Sequence, residues 1–314
     1  MHEIEVNRNS HLIDPQLHIW GWEVPVYLFL GGLAAGIMIF SALMGDRFPL
    51  EQRSRWARWL PFAAPLLLSV GMLALMMDLE YKLHVYRFYL AFRVTSPMSW
   101  GSWILLGIYP ATIGLGLANL QAGEVAALGS WGPLRLLKGA IGWGHDFASR
   151  HRRGVQAANL VLGLGLGIYT GVLLGTLGAR PAWNSALLGP LFLVSGLSTG
   201  AALMMIFPLA HDEHAWLQRW DMGAIVLEGT LLLFFVVALF TGGGQVGKDA
   251  ASLFLGGKYT APFWALVVIA GLAVPLLMEL VERGRKLQPT RLAPVLILIG
   301  GLSLRWIIVL AGQA

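Results

Sequence analysis

Five ionisable side chains interrupt otherwise apolar runs in this sequence of 314 residues: Glu23, Asp78, Glu228, Glu279 and Arg305. A charge in such surroundings is costly unless it finds a partner or a wet cavity, so these are the positions at which proton exchange is expected. Ahead of the first run stands His18-Ile19-Trp20-Gly21-Trp22-Glu23, which joins an imidazole and a carboxylate to two indoles. An unperturbed imidazole titrates at roughly pH 6.5 and so gives and takes protons at neutral pH, whereas indoles at this level ordinarily serve as membrane anchors. Asp221 and Glu228 are seven residues apart and share a helix face, where together they would begin a proton path. The alternative, Asp221 as a helix cap and Glu228 as an isolated polar contact, stays open. Arg305 sits ~21 Å along its helix from Arg291, too deep for easy snorkelling, and either faces a polar interior or pairs with Asp78 or another acid.

The elements that hold these groups are membrane spans. Hydrophobic residues make up 56% of the chain and charged residues only 12%, about half the charged share of soluble domains, so water is not its main solvent. Apolar stretches long enough to cross a bilayer lie near 23–44, 60–79, 102–121, 155–177, 187–210, 222–241, 262–281 and 292–311. They predict an all-α membrane protein of eight helices. Lys and Arg are twice as numerous in the loops after spans one, three, five and seven, among them Arg53, Arg58, Arg135, Lys138 and Arg283, as on the other side. That bias puts these loops in the cytoplasm and both termini outside it. The net charge of +5 belongs to these loops and does not signal nucleic acid. The absence of cysteine excludes disulfides, thiolate zinc sites and Cys-ligated iron–sulfur clusters in this chain. Residues 1–22 are polar and lack the pattern of a signal peptide, so the first span is expected to direct insertion.

A faint duplication runs through the chain at an offset of 164 to 165 residues. Gly32-Leu33-Ala34-Ala35-Gly36 matches Gly196-Leu197-Ser198-Thr199-Gly200, and Thr95-Ser96-Pro97 matches Thr260-Ala261-Pro262. Two four-helix bundles in the same orientation, 23–177 and 178–314, would follow the N-terminal segment 1–22. Tyr169 stands as far after Val155 as Arg305 stands after Arg291, which gives both the same depth in the two halves. Gly163, Gly167 and Gly171 form a stripe suited to close helix contact. None of the histidines lies in the middle of a span, which disfavours a bilayer-embedded haem. The pair in His211-Asp212-Glu213-His214 has metal-ligand types but no further ligand nearby and reads as a solvated loop.

Four stretches resemble the NrfD-like family, to which the membrane subunit of polysulfide reductase belongs. They are Trp20-Gly21-Trp22 with Tyr27-Leu28-Phe29-Leu30-Gly31-Gly32, Asp78-Leu79, and Ser96-Pro97-Met98-Ser99-Trp100-Gly101-Ser102-Trp103. The fourth combines Tyr169-Thr170-Gly171, Arg180-Pro181-Ala182-Trp183-Asn184 and Ser195-Gly196-Leu197-Ser198-Thr199-Gly200. The resemblance implies an integral subunit in a bacterial inner membrane that binds menaquinone or ubiquinone near the periplasmic face. It also implies a periplasmic-side, multi-cluster iron–sulfur partner and a catalytic subunit, typically with molybdopterin. By position His18, Asp78 and Tyr169 look like the family's catalytic groups, with Glu23 and Trp100 beside them at the quinone. Asp221, Glu228 and Arg305 remain the proton path, and no haem, cluster or metal is expected in this chain. Where many relatives turn through Gly-Arg-Pro after the helix-two acid, this chain has Glu80-Tyr81-Lys82-Leu83-His84-Val85-Tyr86-Arg87, which makes His84 a rival of His18. A secondary transporter of two repeated bundles is the competing reading, since paired bundles with buried charges also suit alternating access.

Overall fold

A computed structural model describes residues 20–79, 82–90, 92–178, 180–242, 244–285 and 287–314, apart from the side chains of Leu83 and Phe88. Among these residues the structure is helical throughout, with eight helices long and apolar enough to cross a membrane. In chain order the spans are Glu23–Arg47, Arg55–Asp78, Pro97–Asn119, Arg152–Gly175, Leu188–Ile206, His211–Gly242, Thr260–Arg285 and Leu292–Ala311. The protein is a multi-pass integral membrane protein. A helix bonds its own backbone, which lipid cannot do for it, so each apolar run takes this form.

Two departures from the sequence expectation stand out. The sixth span begins at His211, eleven residues before the apolar run at 222, so His211 and His214 open a helix instead of lying in a loop. Glu213 fixes that start: it is buried, and its carboxylate accepts the backbone N–H of Ala210 at 2.9 Å and of Ser54 at 3.0 Å. The seventh span is π-helical from Phe263 to Ala273, and the turn closes with Val274 N–H donating to Ile269 O. Residues of this stretch meet the eighth span where Gly271 faces Gly300; a Cβ built on Gly271 would lie 2.6 Å from Gly300 Cα.

Spans one and five form the centre. Span one packs on spans two, four, five and eight, and span five on spans four, six and eight. The two glycine motifs that match in sequence meet at the crossing of these central helices. A Cβ on Gly196 would stand 2.8 Å from Gly32 O, one on Gly200 would stand 2.6 Å from Gly36 Cα, and one on Gly36 would overlap Gly196 O. In lipid, where apolar side chains gain nothing by leaving solvent, such backbone contact supplies the packing energy. The stripe in span four serves the same centre: Gly163 faces Ala35 O of span one, and Gly167 faces Leu193 of span five.

The described ends of the polypeptide meet on one face, where Trp20 hydrogen-bonds to Gln313. On the opposite face Arg58 makes a two-pronged ion pair with Glu124, both contacts at 2.9 Å, and Trp59 Nε1 adds a third bond at 3.2 Å. Burial alone would raise the Glu124 carboxyl, but Arg58, the Gln121 N–H and Trp59 outweigh it and hold the group below the usual carboxylate value. A depressed folded-state value means the stabilisation is complete above the unfolded value and is lost as pH falls through the folded one. Glu124→Gln is therefore expected to cost about 1 kcal/mol at neutral pH, read as a lower Tm, and to cost nothing once acid has protonated the wild type. An equal Tm gap at both pH values would assign the loss to something other than the charge.

Candidate functional site

A cavity of about 260 Å³ opens near the face where Trp20 meets Gln313. Trp20 forms its wall ahead of span one, Val24, Tyr27 and Leu28 continue it along that helix, and Met72, Leu75, Met76 and Asp78 come from span two. Met98, Ser102 and Leu105 of span three and Tyr169, Leu173 and Leu174 of span four complete it, with Val85 and Tyr89 from the intervening loop. The spacing of the span-three residues is that of one helix face. The lining is mostly apolar, with three phenols, a hydroxyl and a carboxyl as its polar points. An apolar lining with a few placed polar groups is the make-up of a small-molecule pocket.

The phenols are held firmly. Tyr169 is buried, and its ring occupies the place a side chain at Gly101 would take, so that glycine is what admits it. Tyr27 is buried as well and lines the same wall. Burial, with Tyr109 nearby, pushes the Tyr89 phenol in the loop above its ordinary value, so at neutral pH it is a neutral hydrogen-bond donor. Asp78 is exposed at the end of span two, with the Glu23 carboxylate as its charged neighbour.

A second polar cluster lies among spans five, six, seven and eight. Asp221, Glu228, Glu279 and Arg305 are all buried there. Ser198 Oγ donates to Asp221 Oδ1 at 2.6 Å, while Asp221 Oδ2 and Glu279 Oε2 are buried without a hydrogen-bond partner. Arg305 donates to Ser195 Oγ at 2.7 Å, Gly301 O at 2.9 Å and Phe192 O at 3.1 Å, with Phe192 and Phe29 rings on its flanks. Ser195 and Glu228 line one small cavity next to it. Toward the opposite face the polar file continues through Glu282, which accepts from Gln218 and from Thr290.

A family model described as Polysulphide reductase, NrfD matches residues 11–314. The chain belongs to the NrfD family. It is 29% identical over 308 residues to a polypeptide of the polysulfide reductase of Wolinella succinogenes, with 94% of each sequence matched. To protein NrfD of Escherichia coli it is 30% identical over 307 residues, covering 94% of this sequence and 95% of the relative. A selenate reductase subunit of Mesobacillus selenatarsenatis is 24% identical over 318 residues, 93% of this sequence and 73% of that one.

Within this NrfD-family fold the residues singled out from sequence fall into three groups. Asp78 and Tyr169 share the cavity wall. Glu23 stands beside Asp78 without lining the cavity, and Trp100 is turned outward, 41% exposed, with Nε1 on Val94 O. Two residues on from Met98 along a helix points to the other side, so the cavity takes Met98 and Ser102 instead. His18 lies outside the described residues, as do His2 and His11. Asp221, Glu228 and Arg305 occupy the second cluster, where Arg305 donates to Ser195 and, of the acids expected as its partner, Glu228 and not Asp78 is the one nearby. Sequence reasoning assigned no part to Tyr27, Tyr89, Ser102, Ser195 or Ser198. Tyr27 carried a signal, since it follows Glu23 by one helical turn within a motif that carries the family resemblance.

Proposed function

We propose that this chain is the quinone-reactive membrane subunit of a multi-subunit reductase in a bacterial inner membrane, exchanging electrons with an iron–sulfur partner. The observation that carries the reading is the apolar cavity with Asp78, Tyr169, Tyr27 and Tyr89 on its wall. Interconversion of quinol and quinone moves two electrons and two protons, and both oxygens of the ring need a donor or acceptor within reach. Phenols supply hydrogen bonds in the apolar interior, and Asp78 exchanges protons at the exposed rim. Because the sequence has no cysteine, the one-electron steps fall to a cluster held by another subunit. Two of its relatives are named as parts of a polysulfide reductase and of a selenate reductase, which supports membership of such a complex. On this reading the partner is a multi-cluster, ferredoxin-like subunit next to a molybdopterin subunit, and menaquinone or ubiquinone is the substrate.

The excess of Lys and Arg in alternate loops supports the orientation in which the cavity opens to the periplasm, with both termini on that side. Facing glycine motifs at matching positions support two four-helix bundles, 23–177 and 178–314, related by an axis along the membrane normal. The second bundle then carries the proton path: Glu282, the Asp221 and Glu279 pair, Ser198, Glu228, Ser195 and Arg305 form a polar file from the cytoplasmic side to mid-membrane.

One assay tests both sites. In the assembled complex reconstituted into liposomes, a short-chain naphthoquinol is supplied while its oxidation and proton movement across the membrane are followed together. Tyr169→Phe is expected to slow electron transfer about tenfold or more. Glu228→Gln is expected to leave electron transfer running with fewer protons moved across the membrane per electron. Wild-type rates in the first variant would remove the quinone from this cavity, and an unchanged proton ratio in the second would remove the path.

A further inference from the structure

The wall of the cavity is held from the far end of the chain. Gln313, just past the end of span eight, grips the backbone of Trp20 at two points: Trp20 N–H donates to Gln313 Oε1 at 2.9 Å, and Gln313 Nε2 donates to Trp20 O at 3.0 Å. The carboxamide thus takes up both polar atoms of a peptide segment that belongs to no helix. The Trp20 ring packs on Trp183 at 4.9 Å between centroids. Trp183 lies in the connection between spans four and five, is fully buried, and donates from Nε1 to Ile308 O of span eight at 2.9 Å. Gly312 completes the arrangement, because any side chain there would run into the Trp183 indole. Three elements far apart in sequence therefore converge on one cavity residue. His18 precedes that residue by two positions.

We infer that Gln313 and Trp183 are positioning residues of the quinone cavity, fixing Trp20 as its outer wall and so setting affinity for the quinone ring. Neither touches the cavity itself; each acts through Trp20. The inference rests on the quinone reading of the cavity, and the following test separates the two.

The assembled complex is assayed with a short-chain naphthoquinol, and the matching naphthoquinone is titrated as a quencher of tryptophan fluorescence. Gln313→Ala is expected to raise KM about tenfold and weaken quenching by a similar factor, with kcat changed less than about twofold. Gln313→Glu keeps the acceptor for Trp20 N–H but loses the donor to Trp20 O, and is expected to fall between wild type and Gln313→Ala. Trp183→Phe keeps the ring and removes the bond to Ile308 O, with a smaller rise in KM. An unchanged KM in Gln313→Ala, beside a wild type that saturates normally, would overturn the clamp and leave the cavity reading standing. Should Gln313→Ala fail to assemble, an unchanged KM in Gln313→Glu would overturn it equally. Absence of saturable quenching in the wild type would overturn both.

Discussion

Asp78→Asn is expected to lower quinol turnover in the assembled complex about hundredfold, the scale of a lost general acid or base. Asparagine keeps the size of the side chain and its capacity to hydrogen-bond, so the wall shared with Met76 and Tyr169 persists. What disappears is the exchangeable proton. Because the ring would still be bound by the apolar lining, the loss falls on kcat and leaves KM nearly unchanged, the mark of a group that matters in the transition state. Glu23 stands close to Asp78 but off the wall, and Glu23→Gln is expected to have a much smaller effect in the same assay. Wild-type turnover by an intact Asp78→Asn complex would move proton exchange elsewhere in the cavity.

Gly200→Val is expected to abolish accumulation of folded protein. Its first side-chain carbon would stand 2.6 Å from Gly36 Cα and 3.0 Å from Ile37 N, so backbone on the opposing helix would have to retreat. Overpacking ordinarily costs about 1–3 kcal/mol when side chains can shift, and here no side chain is available to shift. The central crossing also joins the helices that carry the cavity to those that carry the buried acids, so separating it undoes both. Size-exclusion chromatography of a fluorescent fusion gives the readout. Gly229→Ala is the matched control: nothing lies within 4 Å of its added carbon, and helix propensity favours alanine by up to about 1 kcal/mol. A monodisperse peak from Gly200→Val would mean that spans one and five can part without loss of the fold.

The spans were legible because an apolar run of bilayer length has few other uses, and all eight appear where the runs lie. Their ends were less so. His211–Gly242 starts early because a charged first turn bound to Ser54 and Ala210 carries no hydropathy signal. The short helices Ala122–Ser130, Lys138–Arg150 and Gly244–Ser252 are too brief or too mixed in composition to register against the long spans. Of the site, ionisable residues were visible because a charge is conspicuous in an apolar run. Tyr89 and the serines of span five were not, since phenols and hydroxyls carry no charge to mark them and declare themselves only when a partner is placed opposite. Trp100 came from a motif, and a motif gives no azimuth; the helix turned it away from the cavity that its neighbours line.

The π-helical stretch from Phe263 to Ala273 acts as a phase shifter. Each of its turns takes one residue more than an α-helical turn, so every side chain after it is rotated from where an ordinary helix would present it. Glu279, which follows the stretch, lies near Asp221 on that rotated azimuth. A sequence that tightened the same stretch into α-helix would lengthen it and point its glutamate at a different neighbour. Aligned sequences could then agree on the acid while disagreeing on whether it belongs to the pair.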